Sequence, residues 1–114
     1  LSSPIVFSEV ELRGKKLGLM VSVPPGKTNF DHCLRLAETA LNENVDVYFY
    51  CIDDGVEAIR DPRIQRLRER GLKLHVCAFG AERRGIPLDD SATFSGLTVV
   101  SDLIASTDRF VSFN

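Results

Sequence analysis

Residues Leu17–Val23, LGLMVSV, are apolar at nearly every position and are stopped by Pro24-Pro25-Gly26. A strand with one wet face alternates apolar and polar residues, whereas a run without alternation marks a strand covered on both faces, as in a parallel sheet. Proline ends such a run because it has no amide hydrogen to give to the ladder. The period then changes. From Thr28 to Asn44, Phe30, Cys33, Leu34, Ala37 and Leu41 recur at helical spacing. Thr28 or Asn29 is the expected cap, with Asp31 well placed in the first turn.

The same exchange of period recurs down the chain. Val45–Ile52, VDVYFYCI, is β-branched and aromatic and predicts a second strand, closed by Asp53-Asp54-Gly55. Val56–Arg60 predicts a helical turn. Asp61-Pro62 then opens a helix as cap and first residue, with Ile64 and Leu67 inward and Gly71 at its end. Leu72–Cys77 is the third strand. Here Leu72, Leu74 and Val76 alternate with Lys73, His75 and Cys77, so one face should be less covered or meet another subunit. Ala78–Gly85 predicts a short helix, and Ala92–Phe94 at most a short strand. Leu97–Ser106 predicts a last helix with Leu97, Val100, Leu103 and Ile104 inward, and Arg109–Phe113 a last strand. Leu1–Lys16 is a lead-in or arm, interrupted by Gly14 and two lysines, ahead of one domain over residues 17–114. Strands alternating with helices imply βαβ units, a parallel sheet and right-handed crossovers.

With 114 residues, 44% hydrophobic and 26% charged, the chain suits one ordinary core. Its net charge of −2 gives no basic surplus for direct nucleic-acid binding. No apolar run approaches the ~20 residues of a membrane span. No signal-peptide pattern stands at Leu1, although the first residue is not Met. Cys33, Cys51 and Cys77 are odd in number and form no CxxC pair, which argues against a disulfide framework or a paired-cysteine zinc site. A reducing, cytoplasmic setting with free thiols is the expectation.

In parallel α/β folds, sites lie beyond the carboxyl ends of the strands. Pro24–Thr28, Cys51–Gly55 and Cys77–Gly80 meet that condition. In LKLHVCAFGAERRG, Leu72–Gly85, Cys77 falls between a strand and a helix start. Helix N-termini favour anions, and thiolate is the reactive form of cysteine. Position alone leaves a reactive and a packed Cys77 both open. His75 is two residues away, about 6.5–7 Å along a strand, which is long for a base that must bond the thiol. Asp53 and Asp54 are an acid–base or metal pair, or simply a turn and helix cap. Arg83 and Arg84 stand six and seven residues after Cys77, as anion-docking side chains or a solvated face. Gly26-Lys27-Thr28 carries only the second half of a phosphate-binding loop, with prolines where amides should be. Cys33 lies on the apolar stripe of its helix, and Cys51 is a core residue or a second thiol near Cys77.

Four stretches, in order, resemble the DsrE/DsrF-like family of sulfur-relay proteins. LGLMVSVPP with HCLRLAETAL is similar to its first strand and helix. VDVYFYCIDDGV is similar to its second strand and "DGV" turn, here Asp54-Gly55-Val56. VCAFGAERRGI resembles its cysteine segment, with Cys77 at the sulfur-carrying position. FSGLTVVSDLIASTDRFVSF is similar to its closing helix and strand. The resemblance implies a three-layer α/β/α domain with a five-stranded, mainly parallel sheet, and homo-oligomers (trimers or hexamers) or assemblies of related subunits. It implies a persulfide on Cys77 passed to a small sulfur-carrier protein, with no metal or organic cofactor. Backbone amides at Phe79 and Gly80 would hold the terminal sulfur, with Asp54, Gly55, Arg83 and Arg84 around it. Cys51 and the short Pro87–Phe94 region depart from the family pattern. Two other roles stay open: an assembly module of the same fold with Cys77 merely packed, and a small-ligand or nucleotide-binding domain using Gly26–Thr28.

Overall fold

A computed structural model describes residues 14–114, and residues 1–13 of the expected lead-in lie outside the described residues. Five strands form one sheet: β1 (Lys16–Val21), β2 (Asp46–Cys51), β3 (Lys73–Cys77), β4 (Thr93–Ser95) and β5 (Arg109–Phe113). Their order is β4-β3-β2-β1-β5, and every neighbouring pair is parallel. Four α-helices connect them: α1 (Thr28–Asn42), α2 (Pro62–Glu69), α3 (Ala78–Arg83) and α4 (Thr98–Ser106). A 3₁₀ segment, Asp53–Arg60, precedes α2. The result is the expected α/β/α arrangement.

Residues in register share a face. Leu19, Phe49 and Leu74 lie in one row, and Gly18, Tyr48 and Lys73 in the next, pointing the other way. The first face is closed by α1, whose Phe30 meets Phe49 edge-on at 6.4 Å between ring centroids. Leu19, Val21, Val47, Phe49, Cys51 and Val76 are all fully buried on it. From β1 to β4 the chain steps in one direction, so right-handed crossovers keep its connecting helices on one side. The step from β4 back to β5 reverses and sends α4 to the other side. Among the described residues, that second face is thinly covered. Met20, Tyr48, His75 and Phe110 are half-buried on it and Lys73 is exposed. The alternation seen in the sequence of β3 is the imprint of this difference.

Local signals hold with small corrections. Asp61 caps α2, accepting from the Arg63 amide at 2.9 Å, with Pro62 at the first position. Gly71 and Gly85 take positive φ where α2 and α3 stop. The cap of α1 is Lys27, which offers no side-chain bond, rather than Thr28 or Asn29. Asn29 instead donates to the Asn114 carbonyl at 2.8 Å. Leu97 and Ile104 do not point inward as the helical period suggests; they are 65% and 50% exposed. A nine-residue helix on a thinly covered face buries only its Leu103 stripe.

Candidate functional site

β3 runs without a break into α3, so Cys77 is both the last strand residue and the helix N-cap. Its Sγ accepts from the Gly80 amide at 3.4 Å, ordinary for a sulfur acceptor. The residue is 7% exposed, against zero for Cys33 and Cys51. Of the two amides expected to hold a terminal sulfur, that of Gly80 is thus already directed at the cysteine's own Sγ. Phe79 projects into solvent at 67% exposure, with the Arg83 guanidinium 5.4 Å from its ring centre.

The acidic turn after β2 packs against this segment. Gly55 must be glycine for steric reasons, since a Cβ there would overlap the Val21 carbonyl oxygen and stand 2.8 Å from its carbon. Val56 then closes on α3, where a Cβ at Gly80 would come within 3.2 Å of it. Arg84 ties the two segments together. Its Nη2 donates to Asp54 Oδ1 at 2.9 Å, and its Nη1 donates to the Gly80 carbonyl at 3.1 Å. Asp54, Gly55, Gly80 and Arg84 are therefore one interlocked unit around Cys77, whereas Arg83 sits outside it on Phe79. Asp53 is exposed and left-handed at φ 49°, a conformation that aspartate tolerates better than most residues.

His75 makes no hydrogen bond to the thiol among the described residues. Its ring lies near those of Tyr48 and Tyr50, with centroids 6.3 Å away in each case, and its buried Nδ1 has no hydrogen-bond partner among the described residues. Burial, and then Lys73, hold its pKa below the ordinary 6.5. Tyr50 is the residue that sequence reasoning passed over. It is fully buried on the Cys77 face and its hydroxyl donates to the Gly96 carbonyl at 3.1 Å, fastening the end of β4. Burial pushes its pKa up, and a bond to Ser95 partly offsets this. The available signal was a tyrosine inside an apolar strand, since a buried phenol needs a partner.

The other thiols are sealed away. Burial pushes Cys33 up to about 12 and Cys51 well above the usual range, Cys33 adding to the latter. Cys51 faces the side opposite Cys77 and does not supply it with a second thiol. At Gly26–Thr28 the Lys27 amide is spent on the Pro24 carbonyl at 3.3 Å. No cluster of three or more potential metal ligands occurs among the described residues, and none of their helices is long and apolar enough to cross a membrane.

A small, all-parallel α/β domain with a helix-capping thiol at the carboxyl edge of its sheet is the class so defined. The DsrE/DsrF-like family model matches residues 15–113, and the chain belongs to that family. Among solved structures, the ychN protein from E. coli is similar in fold. Its TM-score is 0.75 at 21% identity, over 87% of this chain and 98% of that one. A search of curated proteins gave no significant match.

Proposed function

We propose that this chain, as one DsrE-like domain over residues 17–114, is a sulfur carrier that holds a persulfide on Cys77 and passes it to a small acceptor protein. The observation that carries the reading is the contrast among its cysteines. Two are fully enclosed, while the third ends a strand at the sheet's carboxyl edge with an amide donor on its sulfur. In the loading step the Cys77 thiolate attacks the outer sulfur of a donor persulfide. A Cys77 S–S bond forms as the donor's S–S bond breaks, and the electron pair of the broken bond leaves with the donor thiolate. The proton stays on the transferred sulfur, and no external oxidant is needed. Donation to the acceptor repeats the step with the roles exchanged. Gly80 N–H opposes negative charge on Sγ, Asp54 and Arg84 fix the segment, and Phe79 with Arg83 forms the exposed ground on which a partner would dock. A reducing, cytoplasmic setting suits a free persulfide.

Assembly with further copies or related subunits, as trimers or hexamers, accompanies this reading. Exposed Leu97 and Ile104 and the half-covered sheet face support it. Mass spectrometry after incubation with a persulfide donor tests the carrier role. A gain of about 32 Da, one sulfur, on Cys77 of the folded protein is expected. Absence of that adduct from folded, thiol-accessible protein would falsify it.

A further inference from the structure

The Gly80 amide, one of the two donors expected for a terminal sulfur, is directed at Cys77 Sγ instead. A loaded Cys77 therefore carries an outer sulfur in need of a donor of its own. Buried polar groups in folded proteins are almost always paired, so an unpaired one calls for an explanation. Among the described residues, two enclosed side-chain polar atoms have no hydrogen-bond partner, His75 Nδ1 and Ser95 Oγ. Both residues project from the Cys77 face of the sheet. His75 stands two residues back along β3, about 6.5–7 Å away. Ser95 is the register partner of Cys77 on β4, one strand spacing of about 4.8 Å away, with its side chain leaving the sheet on the same side. The end of β4 is held in place by Tyr50, whose hydroxyl donates to the Gly96 carbonyl at 3.1 Å and lies 3.5 Å from the Ser95 carbonyl. That bond spends the one proton of the phenol on backbone, so Tyr50 has no hydrogen left to offer a sulfur. Ser95 sits close enough to the phenol to favour its ionisation, yet its own hydroxyl meets no acceptor in hydrogen-bonding geometry among the described residues, Cys77 Sγ included.

We propose that the Ser95 hydroxyl binds the outer sulfur of the Cys77 persulfide by donating it a hydrogen bond, an inference that rests on the sulfur-carrier reading. In the unloaded protein the hydroxyl makes no bond to Sγ. A sulfur–sulfur bond adds about 2 Å to the Cys77 side chain, which is enough to close a gap of that kind across one strand spacing. Each sulfur then has one donor, the Gly80 N–H on Sγ and the Ser95 O–H on the outer atom. The hydroxyl keeps its proton throughout, and no electron changes hands. A hydrogen bond to an anionic acceptor is stronger than one to a neutral acceptor, so Ser95 favours the deprotonated persulfide.

Alkylation of the loaded full chain with iodoacetamide tests it. The persulfide anion displaces iodide through its outer sulfur, and intact mass follows the product as a function of pH. Ser95→Ala should move the midpoint of that profile up by about one pH unit, as loss of one charge-assisted hydrogen bond implies. Ser95→Thr keeps the hydroxyl and should hold the midpoint of the parent. Profiles of the unloaded protein should coincide in the parent and both variants, because Ser95 makes no bond to Sγ. Ser95→Ala removes an unpaired buried hydroxyl, so the unloaded variant should melt no lower than the parent. Coincident loaded profiles in the parent and Ser95→Ala overturn the proposal and leave the carrier reading intact. So does an equal shift in the unloaded profiles, which marks a change in the general surroundings of Cys77. If the folded parent takes up no sulfur, the carrier reading itself fails and the role of Ser95 fails with it.

Discussion

Cys51 and Cys77 end neighbouring parallel strands of one sheet, and almost everything about them differs. Cys51 pairs in register with Val76, so Cys77 stands one residue further on and faces the opposite side. Under Cys51 lies the closed layer beneath α1, with Cys33 close enough to disfavour its ionisation further. Under Cys77 lies the thin layer, with Tyr50 as its neighbour. The exits from the two strands differ too. β2 leaves through left-handed Asp53 into a 3₁₀ segment, whereas β3 turns at once into α3 and brings the Gly80 amide to the sulfur. How completely a strand-end cysteine is enclosed is thus set by its sheet face and by the backbone that comes next, not by residue type or strand position.

The same substitution at both positions gives the sharpest test. Cys77→Ser should eliminate persulfide loading while costing under about 1 kcal/mol, because a hydroxyl can also take the Gly80 amide. Cys51→Ser should cost about 1–3 kcal/mol, since it places a hydroxyl in an apolar layer, and should leave loading intact. Urea unfolding and intact-mass measurement read both quantities. If Cys51→Ser lost loading while folded, the contrast between the two cysteines would collapse.

Gly55 tests the backbone half of that contrast. Alanine there drives a methyl into the Val21 carbonyl, so the turn after Cys51 must shift away from α3. A loss of about 1–3 kcal/mol is expected from such overpacking. Loading should slow as well, because Asp54 and Arg84 would lose their alignment beside Cys77. Unchanged stability in Gly55→Ala would mean that the turn has room to spare and does not brace the cysteine segment.

Much of this was legible beforehand for definite physical reasons. Apolar runs such as LGLMVSV mark the inner strands of a parallel sheet, and the alternation in β3 marked the thin face. Asp61-Pro62 and Gly71 announced both ends of α2. The features that escaped needed three-dimensional neighbours. Nothing in the local pattern said that Leu97 and Ile104 would stay exposed, since helical period tells which residues share a stripe but not how much sheet lies beneath. Lys27 displaced Thr28 as the cap of α1 through a one-residue shift that propensity does not resolve. Cys51 near a site edge stood open as a core residue or a second thiol until register set it on the face opposite Cys77.

The smallest expected effect concerns His75, two residues before Cys77 on the thin face. Its folded pKa is depressed, chiefly by burial, so the unfolded chain binds the proton more tightly. Stability is therefore full above the ordinary value of 6.5 and declines as pH falls from there toward the lower folded value. Asp61 and Asp89 are also depressed, from 3.8, and lose their contribution only in more acidic solution, so the windows separate. Urea midpoints measured between pH 7.5 and 5 should fall in the parent protein, and His75→Gln should flatten that slope. The same variant asks whether His75 activates the thiol. A true general base is worth about 10²–10⁴ in rate. Because Nδ1 bonds nothing among the described residues and the ring rests among tyrosines, loading in His75→Gln should stay within about twofold of the parent, well short of that range. A hundredfold slowing would move His75 from the packing of the thin face into the chemistry of Cys77.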